Sequence, residues 1–432
     1  MITIITDFQS QRLKYVADTI FKKWLKVNYK IVSSFVEVDT ETCCISYGNY
    51  SSPGSIKIFN EGLLSESNLR KQLPAVSSHK NGPMIFETSN THEFDLPFDV
   101  FSGVFFCLTR YEEYLQTQRD EHGRFKAEDS IFYGHQRIPY LDKWILALEI
   151  LIQKKLPNWK NPRSLTWLST MDMDIAFAFK GRSLTRRVGA AAKDLLNLRF
   201  DRLRERTSVL SGRSVDPFDT YDLFLNESES DSKRLFVPVG NRSPFDNNLD
   251  VENAFISQHI STLQKKVNIG LHPSYQSLGK VEMIEKEKAR LEQVSGGKIA
   301  ESRQHFLRFS LPDTYQGLDS LGIEKDYSLG FHDEVGFRSG TAFSHSFYDL
   351  LRDTALSIEI IPLTAMDSAM KNYLKLSTEE AMEVMEEILL HMKKSGGSFT
   401  TVWHNHSLSE RDDWNGWRSV FESIPEMVRS HR

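Results

Sequence analysis

The sequence predicts an α/β protein in which a parallel (β/α) barrel of seven strands follows a smaller α/β unit. Three observations predict it. Beyond residue 163, short apolar and β-branched runs alternate with amphipathic helical stretches, the rhythm of a parallel sheet. The polar segment 156–162 carries Pro157 and Pro162 and reads as a boundary. The 432 residues exceed what one ordinary core holds, so two domains are expected, 1–155 and 163–432.

In the first unit, strands are expected at 2–5, 43–47, 55–59 and 84–86, separated by Gly, Pro and Asn turns. A helix fits 98–115, where Phe101, Phe105, Leu108 and Leu115 recur near helical spacing. A second fits 140–154 on Leu141, Trp144, Ile145, Leu148 and Ile152. In the second unit, strands are expected at 164–171, 235–239, 267–272, 303–309, 327–331, 357–362 and 399–404. Helices fall between most of them, at 186–208, 217–226, 251–265, 280–295, 313–321 and 377–394. The last is the clearest: Ser377 and Glu380 form a capping box, Ala381, Met385, Ile388, Leu389 and Met392 share one face, and Gly396-Gly397 end it. A barrel is the economical closure of such a sheet, and its active site lies at the carboxyl ends of the strands.

Composition narrows the function classes. A net charge of -5 gives no global pull toward nucleic acid, and no P-loop or dinucleotide fingerprint is present. Cys43, Cys44 and Cys107 fit neither a disulfide framework nor a zinc-finger spacing and suit a reducing compartment. No apolar run approaches a membrane span, and the chain opens as a strand with no leader-like pattern, so a cytoplasmic location is expected.

The chemistry concentrates at predicted strand ends. The run 164–171 stops at Asp172-Met173-Asp174, and period-two geometry turns both carboxylates to one side. Like charges that close repel unless a cation or a proton lies between them, so a divalent metal on one acid with the other free as a base is the functional reading. Two solvated acids at a strand end are the plainer one. The runs 267–272 and 399–404 end in His272 and His404, and alternation in 303–309 puts Arg303 and His305 on a common face. One strand-end histidine is usually structural, whereas several converging on a carboxylate pair are hard to explain that way. Arg338, in the Gly-flanked loop 336–341, is a candidate for meeting an anionic substrate, with a solvated loop arginine as the alternative. Asp246 reads more readily as a turn acid than as part of the rim. The arginine-rich stretch 180–206 suits an anionic membrane surface, though a solvated helix face is the plainer reading.

Taken in order, Thr170-Met171-Asp172-Met173-Asp174, Gly270-Leu271-His272-Pro273-Ser274, Arg303-Gln304-His305-Phe306-Leu307-Arg308, Gly336-Phe337-Arg338-Ser339-Gly340-Thr341 and Val402-Trp403-His404-Asn405 resemble the NodB-homology polysaccharide deacetylases. These are carbohydrate esterase family 4 proteins, and the closest form is a bacterial branch with a separate N-terminal domain. The resemblance spans 164–432 and implies a deformed (β/α)7-type barrel with one divalent metal, most often zinc. By position it implies Asp172 as general base, Asp174 and His272 as metal ligands, His404 as general acid and Arg303 as the residue orienting the base. Where the family has its second metal histidine, this chain has Gln276, so His305 is expected to supply the missing nitrogen, with a substrate contact or plain packing as the alternatives. The spaced acid pair is the form associated with peptidoglycan-like and imide substrates. The implied activity is metal-dependent removal of an N-acyl group, expected to be acetyl, from an amino sugar of a polysaccharide or glycan precursor. The alternatives are a non-catalytic glycan-binding or scaffold protein, and a C–N hydrolase of small amides or imides.

Overall fold

Strand β1 (Ile2–Ile5) is buried along its whole length because parallel neighbours flank it on both sides. With β2 (Tyr29–Val32), β3 (Cys43–Tyr47) and β4 (Ile56–Ile58) it forms a parallel sheet of order β2-β1-β3-β4. An antiparallel pair of β5 (Ser77–His79) and β6 (Gly82–Met84) follows, with β6 two residues earlier than the strand expected at 84–86. This computed structural model describes residues 1–34, 42–48, 54–79 and 82–432. Helix Val100–Leu108 starts where Asp99 accepts hydrogen bonds from the Phe101 and Ser102 amides. The helix expected over 98–115 breaks at Arg110, whose φ of 54° separates Val100–Leu108 from Tyr111–Leu115. Helix Tyr140–Lys155 packs Trp144 against Phe98, with ring centroids 5.1 Å apart.

The second part carries β7 (Leu165–Asp172), β8 (Ser232–Val237), β9 (Asn268–Leu271), β10 (Glu301–Ser302), β11 (Lys325–Asp326), β12 (His345–Asp349), β13 (Thr354–Ile360), β14 (Ala365–Met366) and β15 (Gly397–His404). They form one nine-stranded sheet of order β12-β13-β11-β10-β9-β8-β7-β15-β14. Every neighbouring pair is parallel except β12 with β13, which is antiparallel. Among the described residues no ladder joins β12 to β14. A hydrogen bond from the Gly336 amide to the Thr364 carbonyl (2.7 Å) spans that side. The result is a deformed, open (β/α) barrel with helices packed around it, preceded by the smaller α/β unit.

Three expected elements of this part differ, the first being the strand expected at 327–331, which is confined to β11 and ends at Asp326. The run 303–309 is not a strand: β10 ends at Ser302, and His305–Leu307 is a 3-10 turn with Phe306 and Leu307 at φ 62° and 52°. The helix expected over 186–208 is two, Leu184–Leu196 and Phe200–Leu210, parted at Leu198 (φ 55°).

The interior of the barrel is narrow. Leu168, Phe236, Tyr327 and Ile361 form a small apolar plug, and alternation along β7 puts Leu168 on the face of Asp172. A Cβ at Gly270 would lie 2.5 Å from the Phe236 ring, so glycine at this point of β9 makes room for the plug beneath the site. The N-terminal core takes in Tyr348 and Leu350 from the β12 side. Buried Glu113 grips Arg338 at 2.7 and 3.0 Å, and Asp142 accepts from Thr341 and the Ala342 amide, tying the N-terminal unit to the loop before β12. Among the described residues no helix is long and apolar enough to cross a membrane.

Candidate metal centre

The sheet register sets where the chemistry emerges. Asp172 ends β7 and is level with His404 at the end of β15. His272 follows β9 directly, Arg303 and His305 follow β10, and Asp367 follows β14. All lie at the carboxyl ends of parallel strands, the rim where loops supply catalytic groups.

Asp174, on the loop after β7, is the hub. Three imidazole Nε2 atoms face its carboxylate: His272 at 3.3 Å, His404 at 3.5 Å and His305 at 3.7 Å. Each ring is fixed from behind through Nδ1. His272 donates to the Arg303 carbonyl (2.7 Å), His305 to Asp246 (2.9 Å) and His404 to Asp367 (2.7 Å). A carbonyl or carboxylate only accepts, so Nδ1 carries the proton and Nε2 is the atom presented inward. This is the outer-shell arrangement of metal-binding histidines.

Whether a divalent cation suits these residues can be judged from their unmet needs. His272 Nε2 and Asp174 Oδ1 are buried with no hydrogen-bond partner. Ligand atoms of Asp174, His272 and His305 all lie within 4.8 Å of one another. Two nitrogens and an oxygen converging in a buried cleft match the donor set of a catalytic zinc site, which leaves a further position for substrate or water. Protons compete with a metal here, since a ligating His305 has to lose the one at Nε2. Burial alone would raise the Asp174 carboxyl, but the positive charge of His305 and His404 holds it well below the usual carboxylate range. Burial likewise opposes charge on the two rings, yet Asp174 and Asp246 raise His305 to about 9, and Asp367 and Asp174 raise His404 to about 10.

Asp172 is built differently. It accepts from Arg303 Nη1 at 2.7 Å on one oxygen, while the other lies 3.9 Å from His272 Nε2. Arg303 is fully buried, donates to the Tyr327 carbonyl and rests 4.3 Å above the Phe236 ring, so it is locked under Asp172. The cleft above has a volume of ≈ 220 Å³ and is walled by Phe306, Tyr373 and Trp414 besides the site residues.

The structure therefore gathers Asp172, Asp174, His272, Arg303, His305 and His404 at one place. It does not bring Arg338 there: that side chain is buried against Glu113 and donates to the Gly330 carbonyl, so it has no free face for a substrate. Gln276 lines a separate cleft with Ser274 and Lys280. His305 does share a site with Arg303, but through the 3-10 turn and not through strand alternation. Sequence reasoning missed Asp367, whose only signal was an acid after the short run Thr364-Ala365-Met366, and set Asp246 aside as a turn acid. It also missed Arg124, which the N-terminal unit inserts into the cleft wall, pairing with Asp120 and donating to the Tyr373 hydroxyl.

Residues 2–157 match a family of unknown function, DUF7033. No curated protein is similar to the chain. Among solved structures, a candidate polysaccharide deacetylase from Mycobacterium smegmatis is similar at 15% identity, over 63% of this chain and 93% of that one, with a TM-score of 0.38.

Proposed function

We propose that the chain is a metal-dependent hydrolase of carbon–nitrogen bonds that removes an N-acyl group, acetyl foremost, from an amino sugar of a polysaccharide or glycan precursor. The observation that carries this is the ring of anchored imidazoles around Asp174, beside a second carboxylate held by a buried arginine. Asp174, His272 and His305 would hold the ion, and their mixed nitrogen and oxygen set favours zinc. Bound there, it would supply polarisation of the acyl carbonyl and acidification of water.

The other steps belong to the chain. Asp172 takes a proton on the oxygen that Arg303 leaves free, and the charge-assisted bond from Arg303 keeps it aimed. His404 carries its proton at Nε2 because Asp367 stabilises the imidazolium through Nδ1, so it can protonate the departing amine. The apolar plug under Arg303 and the walls of Phe306 and Trp414 limit water around the reacting groups. A cyclic imide or small amide is the second reading, favoured by a cleft of only ≈ 220 Å³. The same proposal treats 1–155 as an accessory unit and 163–432 as the hydrolase. It places the protein in the cytoplasm, in keeping with three unpaired cysteines.

The test is a panel of N-acetylated amino sugars, their oligomers, and small amides and imides, with released acid or amine measured. Asp172→Asn is expected to keep the metal and lose turnover, whereas Asp174→Ala loses both. Turnover retained by either variant removes the mechanism. Failure to take up zinc or cobalt would leave a glycan-binding scaffold.

A further inference from the structure

Helices Leu184–Leu196 and Phe200–Leu210 form a hairpin within the loop that follows β7. Its apolar side chains belong to none of the core clusters. Leu184, Leu196 and Leu198 are 76%, 84% and 73% exposed, and Val188, Leu195 and Phe200 are exposed with them. Leu184, Val188, Ala191 and Leu195 fall at i, i+4, i+7 and i+11, the spacing of a single stripe along one helix. Few ties hold the hairpin down: Arg206 pairs with buried Asp194 and lies 4.9 Å over the Phe179 ring, and Glu205 meets Arg411 at 2.6 Å. A helix of a globular protein hides such a stripe, and a contiguous exposed one marks an interaction surface.

The charge around it says what kind. Between residues 180 and 213 there are ten Lys or Arg against three Asp or Glu, in a chain whose net charge is -5. Arg186, Arg199, Arg202 and Arg204 are all exposed. Leucines and a phenylalanine interleaved with arginines are the composition of a helix that lies in a lipid–water interface. There the apolar side chains enter the acyl boundary and the cations meet anionic headgroups.

We propose that this hairpin docks the protein on an anionic lipid bilayer. A second copy of the chain is a poor partner, since joining two hairpins would set two surpluses of seven positive charges against each other. A nucleic acid would satisfy the arginines and leave the leucines in water. The hairpin shares the loop that begins at Asp174, and Glu205 ties it to the loop beyond β15. The bilayer therefore meets the rim that carries the metal centre. In one respect this builds on the hydrolase reading: it places substrate at the membrane surface.

The experiment is flotation of the full chain with vesicles of phosphatidylglycerol and phosphatidylcholine in equal parts, and with phosphatidylcholine alone; no step depends on activity. Binding is expected to the first and about tenfold or more weaker to the second, and to fall as salt rises. Arg202→Ala should weaken it about fivefold, the worth of roughly one basic residue near an anionic surface. The double change Leu196→Ser and Phe200→Ser should weaken it about tenfold or more while leaving the melting temperature unchanged, because both side chains are exposed. Absence of binding to the anionic vesicles overturns the proposal. So does binding that the apolar substitutions leave intact and that double-stranded DNA abolishes, which is the mark of a polyanion site. A dimer in solution that the same substitutions dissolve overturns it as well.

Discussion

Replacing Asp246 isolates the support behind His305, the residue expected to supply the nitrogen that Gln276 does not. Asp246 is buried, and its Oδ1 accepts both His305 Nδ1–H and the Tyr275 amide at 2.9 Å, while Oδ2 accepts from the Ser243 hydroxyl. Asp246→Asn retains an Oδ1 acceptor for the first two bonds and removes the charge, so the ring stays in place and its basicity falls. Asp246→Ala removes the charge and the anchor together, and the ring is free to turn. Loss of an outer-shell partner of a metal histidine costs about 10- to 100-fold in affinity, or about 1.4 to 2.8 kcal/mol. The asparagine variant is expected at the lower end and the alanine variant at the upper. Zinc affinity measured by competition with a chromogenic chelator at fixed pH reads both. Unchanged affinity in Asp246→Ala would refute the reasoning, since His305 would then be no ligand.

The corresponding change at Asp367 should behave in the opposite way: Asp367→Asn is expected to leave zinc affinity within about twofold and lower kcat about 10- to 100-fold, because it acts on the proton of His404. Equal losses of affinity in the two variants would make His404 a ligand. His305 and His404, raised to about 9 and about 10 in the folded chain, titrate near 6.5 when unfolded. The metal-free fold therefore binds more protons than the unfolded chain across that window. The stability these two rings contribute is complete below pH 6.5 and is lost as pH rises through 9 to 10, whereas zinc affinity rises as the His305 proton is displaced. Melting curves of the chelator-treated protein across this range that stay flat would contradict the assignment. Glu113→Gln leaves Arg338 buried without its carboxylate and is expected to cost about 3 to 5 kcal/mol in urea unfolding. Zinc affinity in that variant should be unchanged, since neither residue lines the cleft.

Half of the site could be read directly because its residues terminate apolar runs. Asp172, His272 and His404 each close a buried parallel strand, and hydrophobicity marks such strands strongly. Asp367 and Asp246 escaped because the first follows a strand of two residues and the second sits in an irregular loop, where no periodicity exists to count. Around His305 the right neighbours came from the wrong local structure. The spacing of Arg303, His305, Leu307 and Phe309 imitates a strand, but positive φ at Phe306 and Leu307 bends the chain into a turn. Arg338 failed for a tertiary reason, since its partner Glu113 lies in the other unit and no local pattern links them. The extra strand β12 runs antiparallel at the sheet edge and packs Tyr348 and Leu350 into the N-terminal core, so its apolar residues answer to a partner far away in sequence. The hairpin over 184–210 is the converse case: helical spacing and charge were legible, but the exposure of its leucines became known only with the fold.

Anomalous X-ray diffraction at the zinc absorption edge, from crystals grown with zinc, tests the central claim most directly. One strong peak is expected about 2.0 to 2.2 Å from an Asp174 oxygen, His272 Nε2 and His305 Nε2, with Asp172 still held by Arg303 and outside the coordination shell. A map with no peak at the β7–β9–β10 rim, or a peak that Asp174 does not ligate, would contradict it.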